Sequence, residues 1–145
     1  MRRRRGLRYA RGPRRLRHVT ALSSTARPAD PARPERWHLD AGDRADALLV
    51  VPADARRERR FEISVAMSVR PRADAHEPWH ALRVLADGEL QWSRRIATDP
   101  AGRYDGLDFR FRRSVPVGRE LRLQAFVECG GAERLRLVIE ADEET

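Results

Sequence analysis

The chain has 145 residues, 41% of them apolar, with 30 Lys+Arg against 22 Asp+Glu and one cysteine. That is the length of one domain, too short for a barrel enzyme or a two-domain dehydrogenase. No apolar run reaches 18 residues, which excludes a transmembrane helix, and the single Cys129 excludes an intrachain disulfide or a multi-cysteine zinc cage.

The formal charge of +8 is unevenly spread. Residues 1–29 hold ten Arg and no acid, whereas residues 30–145 hold the other 20 Arg and all 22 acids. The body is therefore close to neutral and has no global attraction to phosphate. Every basic residue is Arg, with no Lys and no Asn in the chain. A GC-rich coding sequence produces both features, so arginine content alone is discounted as a functional signal.

Residues 1–36 read as a disordered basic tail and Pro-rich linker, because few apolar side chains and high like charge cannot offset the entropy of ordering. Pro28, Pro31 and Pro34 favour an extended path. Four readings of this segment stand open: translation starting at Val19, a targeting peptide, a polyanion-binding arm, or a solvated tail without a partner. The arm would bind nucleic acid through Arg2, Arg3, Arg4, Arg5, Arg14, Arg15 and Arg17. No apolar h-region follows these arginines, which argues against a secretory signal, and a cytoplasmic location is expected.

The texture changes to period two from Trp37, and residues 37–145 read as one β-sandwich domain. Trp37–Asp40 is a candidate edge strand, and Asp46–Val51 a short strand ended by Pro52. Asp40, Asp43 and Asp46 recur at a spacing of three, not the alternate-residue pattern of an EF-hand. They, with Asp99, Asp105 and Asp108, leave calcium open against the plainer role of accepting backbone N–H bonds in turns. Ala53–Arg60 is polar all round and reads as a loop or single turn. Phe61, Ile63, Val65, Met67 and Val69 alternate strictly with small or polar residues, the signature of a half-buried strand.

His76-Glu77-Pro78-Trp79-His80 matches H-E-x-x-H, but Pro78 prevents the helix that would bring both imidazoles onto one face. The expectation is two loop histidines beside a strand start, with a loop metal site of His76, His80 and His38 as the alternative and no metal as the conclusion. Trp79, Trp37 and Tyr104 are candidate stacking platforms for a sugar ring or a base, against caps on the core.

A hairpin is centred on Asp87-Gly88. A two-residue loop mixes polar and apolar residues on both faces. A three-residue loop, Ala86–Gly88, pairs Val84 with Leu90 and Leu82 with Trp92, and so predicts a type I turn with a bulge and a buried Trp92. Leu107, Phe109 and Phe111 form another alternating run. Leu121, Leu123, Ala125 and Val127 lead through Cys129-Gly130-Gly131 to Leu135, Leu137 and Ile139, read as a second hairpin pairing Leu123 with Leu137. Arg110, Arg112, Arg122, Gln124, Arg134 and Arg136 fall on the solvent side of these strands and would share one basic sheet face if they were neighbours. The acids at Glu140–Glu144 are a possible partner of the arginine tail.

Seven or eight short antiparallel strands and no convincing helix predict an all-β, jelly-roll-like sandwich. No nucleophile constellation or phosphate-cradling glycine loop is present, Cys129 has no histidine nearby in sequence, and neither an enzyme nor a cofactor is expected. The leading reading is a non-catalytic module that engages a protein partner or self-assembles. The alternatives are carbohydrate binding through Trp79, Trp37 and Tyr104, and polyanion binding confined to the tail.

Overall fold

The computed structural model describes residues 33–145, and the expectations for residues 1–32 lie outside them. Eight strands follow one another: β1 (Arg36–Asp40), β2 (Asp46–Val51), β3 (Arg59–Pro71), β4 (Trp79–Ala86), β5 (Glu89–Ala97), β6 (Asp105–Val115), β7 (Leu121–Gly130) and β8 (Ala132–Glu143). The described residues contain no helix, and Ala53–Glu58 is a loop. The first sheet has the order β1-β8-β3-β6 and the second β2-β7-β4-β5, with every pairing antiparallel. Strands pair first with last, second with seventh, third with sixth and fourth with fifth. This is one long ribbon rolled into two layers, the jelly roll.

The alternation seen in sequence is the alternation of the core. Phe61, Ile63, Val65 and Val69 on β3 and Leu121, Leu123 and Ala125 on β7 are all fully buried between the layers, with Leu82, Val84, Leu137 and Ile139 completing the interior. Each such aliphatic or aromatic side chain removed from water contributes about 1.5–3 kcal/mol. Among the described residues, no helix is long and apolar enough to cross a membrane.

Two predicted hairpins are corrected. The β4–β5 connection is the two-residue loop Asp87-Gly88, both with positive φ (50° and 80°), as a type I′ turn requires. Ala86 pairs with Glu89 and Leu85 with Leu90, after which the register shifts and Val84 pairs with Trp92. Gln91 is the extra residue, and this bulge resolves the mixing of faces that argued against the short loop. Leu90 is consequently exposed, while Leu82 and Val84 are buried. Trp92 is only half-buried, stacked on Phe109 with ring centroids 4.9 Å apart. The second predicted hairpin is not a hairpin, because β7 and β8 belong to different sheets. Gly131 (φ 63°) carries the chain across the sandwich, so Leu123 and Leu137 are buried from opposite layers instead of pairing. The predicted basic face is likewise divided. Arg122 and Gln124 lie on the second sheet, while Arg110, Arg112, Arg134 and Arg136 lie on the first, on two strands separated by β3.

The sandwich has two ends. At the proximal end the chain enters at Glu35 and leaves at Glu143, whose backbone N–H donates to the Glu35 carbonyl (2.8 Å). Arg59, buried there at the start of β3, donates to Glu35 Oε2 (2.7 Å) and the Pro52 carbonyl (2.7 Å). Arg57 clamps the Glu143 carboxylate, and this guanidinium holds Glu143 below its ordinary pKa. The other acids of Glu140–Glu144 also have partners in the body: His38 for Glu140, Arg36 for Asp142, and Arg60 and Arg112 for Glu144. The distal end carries the loops 41–45, 72–78 and 98–104 and the crossing at Gly131.

Candidate functional site

The distal loops border an open cavity of about 840 Å³ lined by residues 75–79, Arg95 to Thr98, and Pro100. Its walls are tied down by backbone bonds: Arg72 N–H to the Gly131 carbonyl (2.9 Å), Ala75 N–H to that of Arg72 (3.1 Å), and Thr98 N–H to that of Pro78 (2.8 Å). A Cβ at Gly131 would stand 2.9 Å from Ala75 Cβ, so the 72–78 loop is seated directly on the crossing. Glu77 adopts φ 52° immediately before Pro78, a conformation disfavoured both for its side chain and for its position.

The two histidines of the H-E-x-x-H match have different fates. His76 is in the loop and lines the cavity. His80 is not a loop residue; it is the second residue of β4, points inward and is completely buried. Its Nδ1 lies 2.6 Å from Thr98 Oγ1, while its Nε2 has no hydrogen-bond partner and sits 4.0 Å from Asp105 Oδ1. Hydroxyl, imidazole and carboxylate stand in a row, but Thr98 is itself buried, which closes it to a substrate; the row ties β4 to the 98–104 loop. Cys129, remote from any histidine in sequence, is the register partner of His80, and its thiol donates to the Ala132 carbonyl (3.2 Å). The spacing of the histidines carried no sign of this, because the β4–β7 pairing makes the neighbourhood.

Three of the six carboxylates proposed for calcium are occupied in turns. Asp40 accepts from Gly42 N–H, Asp99 from Ala101 N–H, and Asp105 from Asp99 and Gly106 N–H. These donors hold Asp40 and Asp105 below their ordinary pKa, with the Gly42 and Asp99 N–H groups the largest causes. Among the described residues no group of three or more His, Cys, Asp or Glu is placed to hold a metal ion.

The three candidate aromatic platforms do not converge. Trp37 is at the proximal end, its indole N–H directed to Glu35 Oε2 (3.1 Å). Tyr104 is exposed beside Arg70, whose guanidinium carbon is 5.7 Å from the ring centroid. Trp79 borders the cavity, but its ring is covered from two directions. Arg95 lies over it with the guanidinium carbon 3.7 Å from the centroid, and Gly130, its register partner, approaches so closely that a Cβ would clash with the indole. The candidate polyanion contacts Arg2–Arg5, Arg14, Arg15 and Arg17 lie outside the described residues.

The two outer faces differ in kind. On the first sheet, cross-strand rows run Arg36–Asp142–Glu62–Arg112 and His38–Glu140–Ser64–Arg110, a charged surface with signs interspersed. On the second sheet, the row Leu48–Gln124–Leu85–Leu90 crosses all four strands, flanked by the half-buried Val50 and Phe126. Leu48 and Leu90 are 44% and 58% exposed.

No protein-family model matches the chain, and no curated protein matches it. Among solved structures it is similar to dimeric latent PorU from Porphyromonas gingivalis, with a TM-score of 0.46 and 14% identity. That match covers 76% of this chain and 13% of the other.

Proposed function

We propose that the protein is a non-catalytic binding module that docks a protein partner, another molecule or a second copy, on the outer face of its second sheet. The observation that supports this is the Leu48–Gln124–Leu85–Leu90 row. Four strands at about 4.8 Å spacing make a strip roughly 15 Å across, three leucines with the half-buried Gln124 among them. A solvated outer face has no use for such a strip, and the first sheet of the same molecule avoids one. Contiguous apolar surface rimmed by polar groups is the usual mark of a docking site. Arg83, 4.7 Å from the Phe126 centroid, and Arg122 supply the polar rim.

A photo-crosslinking residue at position 90 tests this in the native host, with position 66, at the centre of the first sheet's outer face, as comparison. The expected result is a defined adduct from position 90 and none from position 66, lost in a Leu48→Arg variant. Light scattering then assigns it to a second copy or to another protein. Equal labelling from both positions, or none from position 90, overturns the reading.

A further inference from the structure

We propose that the distal cavity binds small organic monoanions, a carboxylate carried on a flat apolar body. The cavity's size lies within the range of small-molecule sites, and its walls are fixed in advance by the three backbone bonds and by the seat on Gly131. Its apolar lining comes from Pro78, Ile96 and Pro100, which suit a ring or short aliphatic body.

The recognition group is Arg95, the one arginine among the lining residues. Most arginines at the proximal end are spent on carboxylates: Arg57 and Arg59 on Glu35 and Glu143, Arg60 and Arg112 on Glu144. Arg95 has no carboxylate within 4.0 Å among the described residues, and its position comes instead from stacking on Trp79. A guanidinium held by an aromatic face keeps its N–H donors for an incoming carboxylate, and less entropy is lost on binding. Glu77 at the same wall sets the charge limit. Its carboxylate repels added negative charge, more strongly a phosphate dianion than a single carboxylate, which Arg95 alone can offset. This site is independent of the proposed docking strip. Trp79 and Leu85 are six residues apart on β4, about 20 Å, so one can fail without the other.

Titration of the full-length, isotope-labelled protein with benzoate decides the matter, read by NMR at the Trp79 indole N–H (assigned through Trp79→Phe) and the Ala97 and Thr98 amides. Saturable shifts at millimolar benzoate are expected. Affinity should fall about tenfold in Arg95→Gln, as loss of a charge-assisted bond implies, and less in Arg95→Lys. Arg110→Gln, an equally exposed change on β6, should bind as the parent does, and benzyl alcohol, benzylamine and inorganic phosphate should leave these resonances in place. The proposal is overturned by no saturable shift, by unchanged benzoate affinity in Arg95→Gln, or by benzylamine, benzyl alcohol or phosphate binding as well as benzoate.

Discussion

Two buried polar side chains, Arg59 and His80, close the ends of the sandwich, and each is anchored by a named partner. For His80 the anchor is Thr98 Oγ1, at 2.6 Å. Thr98→Val keeps the shape and removes the hydroxyl, leaving a fully buried imidazole with neither nitrogen bonded. A loss of about 1–3 kcal/mol in urea unfolding is expected, with Thr98→Ser losing less. Glu143 carries a pH dependence whose direction follows from the Arg57 clamp. Its native pKa lies below the ordinary 4.5, so the unfolded chain binds the proton more readily. The contribution is therefore present above about pH 4.5 and is lost as acid passes through the lowered native value. Glu143→Gln should melt lower than the parent at neutral pH, and its Tm should fall less on acidification to about pH 3, because the group that titrates is gone. An equal fall in both proteins contradicts the clamp.

The β4–β5 turn depends on a left-handed Asp87, a conformation that Asn and Gly adopt readily and β-branched residues resist. The Asp87 carboxylate also accepts the Arg122 N–H (2.9 Å). Asp87→Asn should leave thermal stability nearly unchanged, whereas Asp87→Val should cost about 1–3 kcal/mol. The same turn shows what sequence patterning can and cannot reveal. Alternation in Phe61–Val69 and Leu121–Val127 names the face each side chain takes, and the buried residues follow it. It says nothing about which strand lies alongside. Gly130-Gly131 was legible as a turn, but a tight turn serves equally to pair two strands or to pass between layers. Arg59 was legible in principle, since it continues the inward alternation of Phe61 and Ile63 by one step, but its charge argues against the interior until Glu35 supplies a partner from 24 residues away. The neighbourhood of the distal cavity was hidden for the same reason: Trp79, Arg95 and Gly130 meet only through the β4–β5 and β4–β7 registers.

At the level of the whole molecule, charge is distributed by face. Leu48→Arg and Leu90→Arg replace exposed side chains and should shift folding stability by no more than about 0.5 kcal/mol each, while abolishing the proposed association. The ribbon topology also sets the folding time, because β1 finds its partner only at β8, with Glu35 bonded to a residue 108 positions away. Refolding in milliseconds to seconds is expected by stopped-flow tryptophan fluorescence, slow for a body of this size. That first-to-last pairing has a further consequence. Residue 33 and Thr145 emerge together at one pole, and the Trp79 cavity opens at the other. Whatever moors the domain, through either flank of its polypeptide, does so from behind, and the cavity points outward from the anchorage.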